Sequence, residues 1–129
     1  MELLPEGQRN TTEVLWEDQQ KINEFSKLIN RKDEFESDLN SLKQEKEYLD
    51  DVSMEIELID DEELINYKIG DTFLLLKASR VIDRLSKDNE IIDLKIEKLS
   101  NEIDITEDRL TELKHVLYAK FGNSINLER

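Results

Sequence analysis

The chain has 129 residues, enough for one domain or one extended element. Charged residues make up 39%, hydrophobic ones 37% and aromatic ones 6%, with three Gly and one Pro, a mix that suits long helices rather than a thick globular core. The formal net charge of −14 argues against nucleic acid and anionic membrane surfaces as partners, because both demand Lys and Arg.

Cysteine is absent, so there is no disulfide framework and no thiol chemistry, which fits a cytoplasmic protein. The opening MELLPEGQRN lacks the basic and long apolar stretches of a signal peptide. No apolar run approaches the roughly 20 residues that span a bilayer.

Residues 1–11 read as a tail, because Pro5 and Gly7 discourage helix and Leu3 and Leu4 have no periodic partner. Asn10 with Glu13 three residues on offers a capping box for a first helix over residues 12–59. A seven-residue column runs Leu28, Phe35, Leu42, Leu49, Ile56, with Val14 extending it and Lys21 interrupting it. A second line is patchier: Phe25, Arg31 or Lys32, Leu39, Glu45 or Lys46, Val52, Ile59. Asp60, Asp61, Glu62 and Glu63 then oppose the helix macrodipole and end the helix.

Two short strands follow, over residues 64–69 and 72–77, within a hairpin that spans 64–77. Gly70-Asp71 between them suits a two-residue type II′ turn, whose first central residue needs positive φ. Tyr67, Ile69, Phe73 and Leu75 alternate with Leu74 and Leu76, so both faces are expected to be apolar. A lone hairpin is marginal in water and leaves two open edges. Ile65, Tyr67, Ile69, Phe73, Leu74, Leu75 and Leu76 are therefore the candidate oligomerisation surface.

Ser79 is the expected N-cap of a second helix over residues 79–120. Its stripe is Ile82, Leu85, Asn89, Ile92, Ile96, Leu99, Ile103, Thr106, Leu110, Leu113, Leu117, the alternating three-and-four spacing of a coiled coil. Gly122-Asn123 offers a left-handed C-cap, and residues 121–129 form a C-terminal tail. The two stripes are expected to pair antiparallel within the chain, with paired numbers summing to about 141, as in Leu28 with Leu113 and Ile56 with Leu85; a slip of one heptad is the competing register. Both termini then meet at the tip. Leu3, Leu4, Val14, Leu15, Trp16, Phe121, Ile125 and Leu127 cluster there as an uncovered contact surface.

No catalytic constellation, metal-ligand set or phosphate loop is evident, and no cofactor is implied. His115 falls outside the stripe and reads as a solvated residue. Asp60–Glu63 lacks the spaced oxygens and Gly of a calcium loop. Asn89 reads as a register device. Ile91, Leu94 and Ile105 lie outside the stripe and are expected to be half-exposed.

The segments EDQQKINEFSKL at 17–28, EKEYLDD at 45–51, ELID at 57–60, YKIGDTF at 67–73 and LYAKFGNSINLER at 117–129 resemble the prefoldin family, in its eukaryotic β-type subunits. AKFG followed by INLE is the most specific of these. One departure is visible: Leu15 precedes Trp16-Glu17-Asp18-Gln19 where family members often have Thr. The resemblance implies a mainly α subunit, with two long helices in an antiparallel coiled coil joined by one β-hairpin. It further implies that two α-type and four β-type subunits pool their hairpins into an oligomeric β-barrel. Unfolded polypeptides, notably actin and tubulin, would be held at the coiled-coil tips and passed to the cytosolic group II chaperonin without ATP. The alternative left open by the residues is a coiled-coil adaptor or scaffold subunit of another assembly. An enzyme has no supporting residues.

Overall fold

The computed structural model describes residues 2–3, 15–122 and 125–127. In chain order these form β1 (Glu2–Leu3), α1 (Trp16–Glu57), β2 (Leu64–Ile69), β3 (Thr72–Lys77), α2 (Ala78–Phe121) and β4 (Ile125–Asn126). Two long helices with an antiparallel hairpin between them are the fold that the hydrophobic spacing predicts. No described helix is long and apolar enough to cross a membrane. The chain divides into two compact units, residues 38–99 and residues 1–37 with 100–129.

In the unit of residues 38–99, the second half of α1 packs antiparallel against the first half of α2. Its core is Ile56, Ala78, Val81 and Leu85, with Leu49, Val52, Ile59, Ile65, Tyr67, Leu76 and Ile82 against it. Ala78 and Val81 are fully buried, so here the α2 stripe begins one turn earlier than the heptad from Ile82 suggests. A polar layer interrupts the seam. Lys46 Nζ donates to Asn89 Oδ1 at 3.0 Å, and Asn89 Nδ2 donates to Asp50 Oδ1 at 3.0 Å. Lys46 also pairs with Asp93 at 2.7 Å, which raises its pKa, with help from Asp50. Asn89 thus meets Lys46 and Asp50, where the 141 register places it opposite Val52.

The acidic junction is a structured turn. Leu58 N–H donates to Glu55 carbonyl oxygen and Ile59 N–H to Ile56 carbonyl oxygen, tightening the last turn of α1 into i→i−3 bonds. Asp60 Oδ1 accepts from Glu62 N–H at 3.0 Å, and Glu62 pairs with Lys77 at 2.8 Å. Ser79 is not the cap of α2; it lies inside the helix. Strand β3 runs straight into α2, so backbone carbonyls of the junction do the capping. Ala78 N–H donates to Glu63 carbonyl oxygen at 2.8 Å, and Ser79 N–H to Asp61 carbonyl oxygen at 3.2 Å.

In the other unit, the first half of α1 packs antiparallel on the second half of α2. Its core is Ile22, Phe25, Leu110, Leu113, Leu117, Phe121, Ile125 and Leu127, with Leu28, Ile29 and Tyr118 against it. Leu28 and Leu113 share this cluster, as Ile56 and Leu85 share the other. Leu113, Leu117 and Leu127 are among the most completely buried side chains, each worth about 1.5–3 kcal/mol over exposure. Thr106, buried in the stripe, satisfies its hydroxyl by donating to Glu102 carbonyl oxygen at 2.8 Å.

The Asn10–Glu13 box, with Leu4 and Val14, lies outside the described residues. The first described turn of α1 uses other residues. Leu15 carbonyl oxygen accepts from Gln19 N–H at 3.0 Å, and Asp18 Oδ2 accepts from Leu15 N–H at 3.1 Å. Asp18 therefore occupies the third helical position and reaches back to the cap residue, one half of a capping box. At the other end, Gly122 takes φ +55° just after Phe121, the left-handed stop expected of it.

Candidate functional site: the hairpin faces and the chain-end cluster

Two candidate surfaces were legible in the sequence, and each lies within one unit. The hairpin turn is type II′: Gly70 has φ +59°, and no described non-glycine residue has positive φ, so Asp71 cannot complete a type I′ turn. That turn fixes the pairing as Ile69 with Thr72, Lys68 with Phe73, Tyr67 with Leu74, Asn66 with Leu75, Ile65 with Leu76 and Leu64 with Lys77. Directly opposed residues of an antiparallel pair share a face. One face therefore holds Ile65, Tyr67, Ile69, Thr72, Leu74 and Leu76; the other holds Leu64, Asn66, Lys68, Phe73, Leu75 and Lys77. The sequence grouping, which set Tyr67 and Ile69 with Phe73 and Leu75, is corrected by this register.

The two faces have different fates. Ile65, Tyr67 and Leu76 pack on the adjacent helical core. Tyr67 is further held by Arg84, 5.7 Å from its ring centroid, and its hydroxyl reaches Asp88 Oδ2 at 3.4 Å. On the opposite face Leu64, Phe73 and Leu75 are 60%, 60% and 65% exposed. Lys68 lies over the Phe73 ring at 6.0 Å, a contact that leaves most of the ring in water. Ile69 and Leu74, nearer the turn, are also exposed. Five of the chain's large apolar side chains thus stand uncovered on twelve strand residues, a density that marks a contact surface.

The chain-end residues separate into two groups. Leu15 and Trp16 are exposed, Trp16 by 74%. Phe121, Ile125 and Leu127 are not the uncovered residues that the sequence suggested; all three are in the core. The reason is that the tail turns back after Gly122. Leu127 N–H donates to the Tyr118 hydroxyl at 3.1 Å. Strand β4 pairs antiparallel with β1, Leu3 opposite Ile125 and Glu2 opposite Asn126. Residues 2–3 are thus tied by backbone rather than left as a tail. The sequence signal for this was Ile125 and Leu127 two apart after a helix stop, the spacing of one strand face.

Charge clamps flank the cluster. Asp18, only 5% exposed, is paired with Lys120; that bond, with the Leu15 N–H, holds its carboxyl below the usual aspartate range despite burial. Arg109 grips Glu24 with two bonds, Nε at 2.7 Å and Nη2 at 2.9 Å, and also meets Glu112 at 3.1 Å. The fork lowers the Glu24 pKa and raises that of Arg109. Lys32 links to Glu107 at 3.2 Å. Apart from Arg109 with Glu112 inside α2, these are cross-helix ties, and all their carboxylates are already occupied by cations. Among the described residues no group of three His, Cys, Asp or Glu side chains is gathered to hold a metal ion. His115 is exposed, as are Ile91, Leu94 and Ile105.

Comparison with known proteins places this architecture. The prefoldin subunit family profile matches residues 19–124. The chain is 59% identical to prefoldin subunit 4 of Saccharomyces cerevisiae over 129 residues, covering all of both chains. It is 35% identical to human prefoldin subunit 4 over 116 residues, 89% of this chain and 87% of that one. The crystal structure of the prefoldin beta subunit from Thermococcus strain KS-1 superposes with a TM-score of 0.77 at 12% identity, covering 87% of this chain and 98% of that one. With its two helices, single hairpin and nearly full-length match, the chain belongs to the prefoldin subunit family, a family of chaperones rather than of enzymes.

Proposed function

We propose that the chain is one subunit of a heterohexameric, ATP-independent co-chaperone that holds non-native polypeptide. Its hairpin joins those of two α-type and of other β-type subunits, four β-type in all, in a shared β-barrel. Its chain-end cluster contacts unfolded clients, actin and tubulin among them, and the complex passes them to a group II chaperonin in the cytoplasm. The observation that carries this reading is the uncovered hairpin face, Leu64, Phe73 and Leu75 on two short strands with open edges. A plain coiled-coil scaffold has no use for such a face.

Client contact would begin at Leu15 and Trp16, with Leu3, Leu4, Val14, Phe121, Ile125 and Leu127 as the wider surface. Each such contact is weak, and several arms engaging one chain convert weak contacts into retention. The test has two arms. Phe73→Asp with Leu75→Asp is expected to exclude the chain from a six-subunit complex in native mass spectrometry. Leu15→Ser with Trp16→Ser is expected to leave the complex intact and reduce its suppression of client aggregation. Normal assembly of the aspartate variant would refute the pooled hairpin; unchanged suppression by the serine variant would refute the chain-end contact.

A further inference from the structure

The residues best suited to seize an apolar client are occupied by the chain's own tail. Phe121, Ile125 and Leu127 are 4%, 5% and 0% exposed, packed with Ile22, Phe25, Leu110, Leu113 and Leu117. Residues 125–127 are held in the manner of an extended guest. Two apolar side chains, two residues apart, enter the cluster; the backbone pairs with Glu2 and Leu3; and Leu127 N–H is received by the Tyr118 hydroxyl. Extended backbone pairing with apolar side chains in alternate positions is the way sheet edges capture peptide segments. It is also the chemistry that an unfolded polypeptide presents. Gly122, at φ +55°, ends α2 in the left-handed conformation that glycine takes cheaply, shortly before the tail. Leu15 and Trp16, by contrast, stay exposed and need no release to be reached.

We propose that residues 125–127 are a self-occupying strap: they fill the apolar cluster when no client is bound, and an extended apolar client segment displaces them. This rests on the reading of the chain-end cluster as the client contact. Leu15 and Trp16 make the first contact, and strap release uncovers Phe121 and its neighbours for the second. The strap then acts as an intramolecular competitor. A site that is closed two thirds of the time binds about threefold more weakly than the open site.

The test uses the six-subunit complex and, as client probe, reduced and carboxymethylated α-lactalbumin, with Kd read by fluorescence anisotropy. Leu127→Ser loosens the strap and is expected to lower Kd, by up to about threefold at that occupancy. A second variant keeps the core intact. Glu2 and Asn126 are directly opposed in the β1–β4 pairing, and the chain has no cysteine of its own. Opposed Cα atoms about 4.5–5.5 Å apart lie within disulfide range. Glu2→Cys with Asn126→Cys therefore locks the strap when oxidised. The locked complex is expected to bind the probe about threefold or more weakly than the same complex after reduction. Equal Kd in the locked and reduced forms overturns the strap, whatever Leu127→Ser does. The Leu15→Ser and Trp16→Ser complex separates the two ideas. If it binds less probe while the lock has no effect, only the strap falls; if neither change matters, the chain-end contact falls and the strap with it.

Discussion

Replacing Phe73 and Leu75 with alanine tests the central physical claim in quantitative form. In the single chain these side chains are 60% and 65% exposed, so most of their transfer free energy is still unrealised. Full burial of Phe or Leu is worth ~1.5–3 kcal/mol. About two thirds of that leaves roughly 1–2 kcal/mol per residue, and roughly 2–4 kcal/mol for the pair, available only to a neighbouring subunit. At 1.4 kcal/mol per tenfold, the double alanine variant should weaken incorporation into the complex roughly 30- to 700-fold. Competition against the wild-type chain, read by native mass spectrometry, measures this ratio directly. The isolated variant should melt within a few degrees of wild type by circular dichroism, since little buried area is lost from it. Leu76→Ala is the contrasting change, because Leu76 packs on the helical core of its own chain and its loss should lower that melting point. A competition ratio below about threefold, or a drop in the variant's own melting point that equals the assembly loss, would refute the claim that this face is reserved for other subunits.

Other expectations follow from particular contacts. Gly70→Ala meets no atom within 4 Å, so its cost is the positive φ alone, about 1–2 kcal/mol, and should appear as faster amide exchange across β2 and β3 with α2 of residues 100–121 unaffected. Asp18 and Glu24 have depressed folded pKa values, so their contribution is complete above the ordinary carboxylate range and is lost as pH falls through the lower folded values. Acidification below about pH 4 should therefore loosen the chain-end unit, and Asp18→Asn should flatten that dependence in thermal melts taken between pH 7 and pH 3. Lys46 has the opposite sign: its pKa is raised, so its contribution persists through neutral pH and fades only as pH rises past the usual lysine range. Lys46→Met alone should lower the melting point by leaving Asp50 and Asp93 without their cation, while Lys46→Met with Asn89→Leu should restore or raise it, as apolar replacement of a polar layer often does.

The parts of the fold that sequence revealed are those where one residue type answers one physical demand. All eleven α2 stripe positions from Ile82 to Leu117 are buried or half-buried, because nine of them are aliphatic and repeat at the helix period. Gly70-Asp71 set the hairpin bounds, because only glycine accepts the required φ cheaply. The α1 stripe was patchy for a reason visible in the packing. Lys32 and Lys46 occupy its inward line, their stems along the seam and their ammonium groups paired with Glu107 and Asp93. The hairpin faces were misgrouped because alternation was counted within each strand, whereas the pairing register decides which residues of the two strands share a face. The Ser79 cap was overtaken by backbone carbonyls of the junction, which no side-chain pattern announces. The tail was misread because two aliphatic residues two apart are too short a run to announce a strand, and the β1 pairing and the Tyr118 hydroxyl that hold them lie elsewhere in the chain.

The distribution of exposed apolar surface gives the two proposed contacts different characters. Leu64, Phe73 and Leu75 have no cover among the described residues, so their exposure is a standing cost for the free subunit and would favour the proposed assembly. The chain-end cluster is different, since Ile125 and Leu127 already exclude water from it and a client gains only the difference between its own contacts and theirs. On the proposed reading, binding there would be weak for any single chain, which would suit a holder that must let its client go. The charge clamps fit the same division. Asp18 with Lys120 and Glu24 with Arg109 fix α1 against α2 beside the cluster, so that loss of the tail need not part the helices. Were those clamps removed, by Asp18→Asn with Glu24→Gln, tail release and helix separation would merge into one event, and amide exchange at residues 16–25 would rise together with that at 125–127.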